Sequence, residues 1–310
     1  MAKEVLLALG GGGIRGIAHI GVIKCLIEND YKIAGIAGSS AGGMFGCMYA
    51  SGVGIEKIED AIDEFSSHPK FSRHSHDTAS FIGTIGLEEI LTRLLQEKIL
   101  EDFPIPFVAT AVDLHTGNEI VIKTGSALKA ILSTIALPGI FPSQEFDQYK
   151  LIDGGIVDPV PVRAARELDP TLPIVAVRLS RKPSDYSATL LPLQDKIPTS
   201  IADRLMRTRL VESLRTFYQS IDVLTGKLES VSLAVDQPDV IIAPEIGHYP
   251  VLDLVVPPDL QQKGYEAMLA ALPQLEQSLT LVSKVRRIAK YVVADAKNSS
   301  LTAAYQRDQG

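Results

Sequence analysis

Through Ser51 the chain runs twice through the order apolar strand, glycine turn, apolar helix, and that order leaves few folds open. Glu4 to Leu9 reads as a strand, Gly10 to Gly13 as a tight loop and Ile17 to Asn29 as a helix. Lys32 to Ala37 reads as a second strand and Ala41 to Ser51 as a second helix. Such a unit implies a parallel strand pair joined by a right-handed crossover, so both strands end on the same sheet edge. The glycine loop and the segment Gly38-Ser39-Ser40-Ala41-Gly42 are expected to face each other there.

The remaining sequence extends the α/β pattern. Helical spacing is read over Glu56 to Phe65, Leu87 to Leu100 and Ala127 to Ile135. A hairpin is read over Phe107 to Val112 and Glu119 to Ile122, with short strands at Tyr149 to Ile152, Pro173 to Leu179 and Val240 to Ala243. Ser66 to Gly86 lacks periodicity and reads as a loop and candidate lid. Arg181 to Ser200 turns to Pro, Ser and Asp and reads as a long connection. Leu210, Val211, Leu214, Phe217, Tyr218, Ile221 and Leu224 then recur at helical spacing, with Arg204, Arg207, Arg209 and Arg215 among them. The expectation is a long amphipathic helix with its apolar stripe on the core and a solvated basic face; a membrane-surface helix is the competing reading. Gln261 to Leu281 reads as a closing helix.

Hydrophobic residues make up 46% of the chain and charged ones 22%, enough for a large core. The net charge of -7 offers no general attraction to nucleic acid or anionic lipid, so no nucleic-acid partner is expected and membrane contact must be local. The apolar stretch in MAKEVLLALG is too short for a signal peptide, and no run reaches the roughly 18 to 20 residues that span a bilayer. A cytoplasmic protein is expected, at most peripheral at the inner membrane surface. Cys25 and Cys47 lie among apolar neighbours and read as buried reduced thiols.

Ser40 stands in a G-x-S-x-G frame at the end of an apolar strand, where a sharp turn into a helix exposes a hydroxyl. It is the candidate nucleophile, with Gly38 and Gly42 shaping the turn. Attack on an ester would build negative charge on the former carbonyl oxygen, and the backbone N–H groups of Gly11, Gly12 and Gly13 are the candidate oxyanion donors, with Arg15 fixing the loop. Gly11-Gly12-Gly13-Ile14-Arg15-Gly16 also satisfies G-x-G-x-x-G, so nucleotide binding is the alternative. A dinucleotide site expects an acid at the end of the second strand, about 20 residues on. This strand ends in Ala37-Gly38-Ser39-Ser40, and Asp30 lies at its other end.

The usual Ser-Asp-His order of an α/β hydrolase is hard to build here. None of His19, His68, His74, His76, His115 and His248 sits at a convincing strand end. A partly desolvated carboxylate can take the histidine's place, because burial raises its proton affinity. Asp153 closes a short apolar strand and is followed by Gly154 and Gly155, which let it turn in towards Ser40; a turn aspartate satisfying backbone N–H groups is the other reading.

Taken together these residues resemble the patatin-like phospholipase family. Gly11 to Gly16 looks like its oxyanion loop, Gly38 to Gly42 its nucleophile elbow, Ala136-Leu137-Pro138-Gly139-Ile140-Phe141-Pro142 its proline-bearing loop, and Asp153-Gly154-Gly155 its aspartate motif. The resemblance implies a three-layer α/β sandwich with a mostly parallel central sheet flanked by helices. On that basis 1–295 form a single domain, with core motifs in 6–179, a mostly helical extension over 200–295 and a polar tail at 296–310. It also implies a Ser40-Asp153 acyl hydrolase without metal or cofactor, acting on phospholipids, lysophospholipids or other acyl esters at a membrane surface, with Pro138, Gly154 and Gly155 supporting the site. A lipid-binding member without turnover is a further alternative. Ser133-Thr134 replaces the more usual Ala-Ser before the proline loop, and Gly10 precedes the three glycines where many relatives carry another residue.

Weaker signals remain. His68, His74, His76 and Asp77 carry zinc-ligand chemistry, but a loop fixes no tetrahedral geometry and no metal is expected. Phe71 and Phe81 read as lipid contacts or loop anchors. Asp113 is explained by capping of the hairpin turn.

Overall fold

The computed structural model describes residues 3–67, 83–181, 201–249, 251 and 257–289. The zinc candidates, Phe71, Phe81, the 182–200 connection and the polar tail lie outside them, as does most of the expected lid.

Strand β1 (Lys3–Leu9) is apolar on both sides: Val5, Leu7 and Leu9 enter one core, Leu6 and Ala8 the other. A parallel strand covered on both faces requires that composition. β1 pairs in parallel with β2 (Tyr31–Ser39) and with β7 (Ile174–Val177). β2 continues in parallel to β3 (Phe107–Asp113), and β7 to β8 (Val240–Ile242). β4 (Glu119–Ile122) and β6 (Tyr149–Asp153) pair antiparallel with β3, and β5 (Gln144–Phe146) with β6. The eight strands form one mixed sheet.

Helices cover both faces, giving the expected three layers. The larger core gathers α1 (Ala18–Glu28), α2 (Ala41–Ala50), α3 (Ile55–Ser67), α4 (Ile85–Leu95), α5 (Ala127–Thr134) and α8 (Leu260–Ser278). The smaller core holds α6 (Val162–Leu168) and, through Leu233, the end of α7 (Ile201–Asp236). Helix α1 is buried on nearly every side because α8 crosses it closely. A Cβ on Gly21 would lie 1.9 Å from the Gln261 carbonyl oxygen, and one on Gly264 1.9 Å from that of Ala18.

Asp113 caps the hairpin as expected, its carboxylate accepting from Thr116 Oγ1 at 2.7 Å and from the Lys150 N–H at 3.3 Å. Helix α4 ends earlier than its periodicity suggests, because Gln96 adopts φ 55° and Ile99 forms a bridge to Ser126. Strand β5 and helix α6 have no clear sequence signature: β5 is three residues with one apolar side chain, and α6 is a short helix bracketed by Pro161 and Pro170.

Helix α7 corrects an expectation. It is long, but its inward side is the polar one. Asp222 meets Arg181 at 3.4 Å and Arg15 at 3.8 Å, while buried Glu229 accepts from Ser180 Oγ at 2.5 Å and pairs with Arg178 at 2.6 Å. Phe217 and Leu224, expected in the core, are 51% and 67% exposed. Periodicity locates a stripe on a helix without saying which side meets the sheet. Here arginines beside the end of β7 claim the acidic side. Among the described residues no helix is long and apolar enough to cross a membrane.

Candidate active site

Strand register explains why two residues far apart in sequence meet. Thr110 of β3 pairs with Ser39 of β2 on one side and Val121 of β4 on the other. The next residue, Ala111, pairs with Ile120 of β4 and Asp153 of β6. β2 and β6 therefore follow one another along the edge of β3 opposite β4, running towards each other with their C-terminal ends in contact. Across that junction Ser40 Oγ donates to Asp153 Oδ2 at 2.6 Å.

Ser40 sits at φ 52° and ψ -125°, a conformation that costs a non-glycine residue about 1–3 kcal/mol. The surroundings hold it there. Its N–H donates to Thr134 Oγ1 at 2.9 Å, that hydroxyl donates to the Thr110 carbonyl at 2.6 Å, and the Ser40 carbonyl accepts from the Met44 N–H at 3.0 Å. The hydroxyl thus stands at the N-terminus of α2, where the helix dipole favours negative charge. Gly38 lies beneath Gly43 at the start of α2, and Gly42 packs against the end of β1.

Asp153 is 3% exposed. Its Oδ1 accepts from the Gly155 N–H at 2.8 Å, and its own N–H donates to the Ala136 carbonyl at 3.0 Å, tying it to the proline loop. Burial pushes its carboxyl up to about 6, against the opposing pull of the hydrogen bonds from Ser40 and Gly155. At neutral pH it is ionised yet close to its titration point, as suits a general base.

The glycine loop lies against the serine as expected: a Cβ on Gly11 would be 3.1 Å from Ser40 Cβ. One member departs from its assigned role. The Gly11 N–H donates to the Pro159 carbonyl at 3.0 Å, so in this conformation it anchors the loop and is not free to face an oxyanion. The N–H groups of Gly12 and Gly13 bond to none of the described residues. Arg15 shapes the loop from beneath. Buried itself, it donates through Nε to the Tyr249 carbonyl at 2.8 Å and through Nη1 to the Leu179 carbonyl at 3.1 Å. Gly154 continues from β6 into the short turn whose Gly155 N–H faces Asp153.

Three supports were not legible in the sequence. His19 Nε2 lies 2.8 Å from the Gly10 carbonyl, which only accepts, so Nε2 carries the proton. Complete burial pushes this imidazole down to about 4, keeping it neutral and committed to the loop instead of to Ser40. Thr134 is the bridge between the elbow and β3. Tyr218 reaches from α7 to donate to the Pro138 carbonyl. All three act through backbone partners, which residue type alone does not announce.

The dinucleotide alternative finds no acid at the end of β2, and the loop's anchors are Pro159, Val177 and Leu179 carbonyls of the protein itself. Among the described residues there is no group of three or more His, Cys, Asp or Glu placed to hold a metal ion.

An α/β sheet edge that places a serine in a strained elbow against a buried aspartate and a glycine loop has the geometry of a serine acyl-transfer site. Comparison with known proteins specifies the class. The family model described as Patatin-like phospholipase matches residues 7–166, and the chain belongs to that family. An uncharacterised NTE family protein of Mycobacterium tuberculosis is 36% identical over 215 residues, 66% of this chain and 56% of its own length. The lysophospholipase NTE1 of Cryptococcus neoformans is 31% identical over 53% of this chain and 10% of its own. Human patatin-like phospholipase domain-containing protein 6 is 28% identical over 54% of this chain and 13% of its own. The chain thus spans little more than half of the mycobacterial relative and a small part of the others. Among solved structures, VipD from Legionella pneumophila shares the fold, with a TM-score of 0.50, 14% identity, and coverage of 89% of this chain and 67% of VipD.

Proposed function

We propose that the protein is a serine lipid acyl hydrolase of the phospholipase A or lysophospholipase type, working through a Ser40-Asp153 dyad. The observation that carries this reading is the 2.6 Å hydrogen bond from Ser40 Oγ to a buried carboxylate with raised proton affinity. As Oγ attacks the ester carbonyl carbon, its proton passes to Asp153 Oδ2. The tetrahedral oxyanion is met by the N–H groups of Gly12 and Gly13 and by that of Ala41 at the start of α2, each such donor being worth on the order of a hundredfold or more in rate. Collapse breaks the ester C–O bond, and the leaving alcohol takes the proton from Asp153. The same carboxylate then deprotonates water for attack on the acyl-Ser40 ester, releasing fatty acid and returning the proton to Ser40. Substrate would be met during transient contact with a membrane surface from the cytoplasmic side.

Two measurements test this. Lysophosphatidylcholine, phosphatidylcholine and a short-chain p-nitrophenyl ester are each incubated with wild type and Ser40→Ala, and released fatty acid or phenol is followed. Release by wild type alone supports the reading; lipid binding without release by either would move the non-catalytic alternative forward. In the second, kcat/KM is followed against pH. The base must be ionised, and its carboxyl titrates at about 6. Activity therefore falls about tenfold per pH unit below that point and is level above it; a profile flat through pH 5 would remove Asp153 as the base.

A further inference from the structure

Tyr218 and Asp222 stand four residues apart on α7, about one turn of helix, and so point to the same side. The Tyr218 hydroxyl donates to the Pro138 carbonyl and lies over Gly139, where a Cβ would come within 2.8 Å of it. The Asp222 carboxylate lies 3.8 Å from Arg15 Nη1 and 3.4 Å from Arg181 Nε. A single turn of α7 therefore engages both loops that flank Ser40, the proline loop through Tyr218 and the glycine loop through Arg15.

Each contact lies a short way from the reacting atoms. Two residues before Pro138, the Ala136 carbonyl accepts from the Asp153 N–H at 3.0 Å. The Leu137 carbonyl accepts from the N–H groups of Ile140 and Phe141, both at 3.0 Å, closing the proline loop into a turn that shifts as one piece. A displaced Pro138 therefore displaces the partner of the base. On the other side the Arg15 N–H donates to the Gly12 carbonyl at 3.2 Å, and a Cβ on Gly12 would lie 3.5 Å from Arg15 Cβ. The Gly12 N–H, an oxyanion donor on the hydrolase reading, takes its aim from that packing.

Both contacts suit a restraint. The hydroxyl is aimed at one carbonyl, and the ion pair of Asp222 with buried Arg15 is little screened by solvent. Tyr218 is not itself a proton carrier, because burial pushes its hydroxyl up to about 12 and the backbone carbonyl engages it. A misplacement of about 1 Å in a reacting group costs on the order of a hundredfold in rate, so the spacing across this site matters.

We propose, on the basis of the hydrolase reading of Ser40 and Asp153, that this turn of α7 is a clasp fixing the distance between the base and the oxyanion donors, with Tyr218 and Asp222 as positioning residues for acyl transfer. Because one rigid turn carries both contacts, loss of either releases the same restraint. The two side chains then act as a unit, and their effects on rate do not add. The restraint concerns the geometry in which charge develops, so the loss falls on kcat and not on KM.

The full chain is prepared as wild type, Tyr218→Phe, Asp222→Asn and the double variant. Each single change is expected to lower kcat for a p-nitrophenyl ester about tenfold, with KM and melting temperature unchanged, and the double variant is expected to be no slower than the slower single. Hydrogen exchange followed by peptide mass spectrometry adds a signature that does not depend on turnover. Tyr218→Phe is expected to speed exchange in the glycine loop, and Asp222→Asn in the proline loop, each being the loop on the far side of the clasp. Faster exchange only in the near loop, or kcat losses that multiply in the double variant, would overturn the clasp. So would a Tyr218→Phe with the kcat of the wild type. Tyr218→Phe removes a single oxygen and carries the cross-loop measurement alone if Asp222→Asn melts early. A wild type without ester hydrolysis, yet with the cross-loop exchange changes, would overturn the hydrolase reading and with it the positioning role, while retaining the mechanical link between the loops.

Discussion

Asp153→Asn lowers kcat/KM for a p-nitrophenyl ester by about a thousandfold to ten-thousandfold, with the loss in kcat. The amide has the shape of the carboxylate and can still accept from the Gly155 N–H, so the turn after β6 and the tie to the proline loop persist. It cannot take the Ser40 proton. Stability does not account for the loss. Asp153 holds its proton in the fold up to about pH 6, above the 3.8 of an ordinary aspartate, so its contribution is largest below pH 3.8 and is lost as pH rises through 6. At pH 7 the neutral amide escapes that desolvation cost and melts no earlier on this account. Wild-type kcat in Asp153→Asn, with an unchanged melting curve, would remove the aspartate from the chemistry.

The second large effect falls on folding. Gly42→Ala would place a Cβ 2.1 Å from the Leu9 carbonyl oxygen and 2.7 Å from that of Gly10. Both are backbone atoms, one ending β1 and the other opening the glycine loop, so neither can swing aside. Relief requires α2 to withdraw from the sheet, parting Ser40 from the loop. Overpacking of this kind costs about 3 kcal/mol or more, and thermal unfolding should move down by roughly 5 °C or more with loss of ester hydrolysis. A variant that melts with the wild type and turns over normally would show that α2 has more freedom than the contact allows. The second glycine of the pentapeptide is needed here for the close approach of helix to strand, whereas the turn itself is borne by Ser40.

The parts of this molecule that read directly from sequence are those whose physics is local. β1, α1, β2 and α2 follow from apolar runs separated by glycines, and their order fixed the edge on which Ser40 and the glycine loop would meet. The turn of Asp153 towards Ser40 was readable because an apolar strand ends in a carboxylate followed by two glycines. What escaped depends on partners distant in the chain. The Gly11 N–H was expected at the oxyanion, yet Pro159, from the loop before α6, supplies an acceptor that no local pattern shows. Thr134 and His19 act by holding backbone groups of other elements, and a threonine or histidine inside a helix does not reveal which carbonyl or amide it will find. The polarity of α7 was reversed for the same reason. Its stripe is plain in the spacing, but the arginines that draw Asp222 and Glu229 inward are set in place by β7 and its following residues.

The most direct test of the account is covalent. A fluorophosphonate probe is incubated with wild type, Ser40→Ala and Asp153→Asn, and the adduct is located by peptide mass spectrometry. A single adduct on Ser40 in the wild type, none in Ser40→Ala and markedly slower formation in Asp153→Asn are the results expected of a serine activated by a buried carboxylate. No adduct, or one formed equally fast in all three proteins, would contradict the assignment of Ser40 and Asp153 as the acyl-transfer pair.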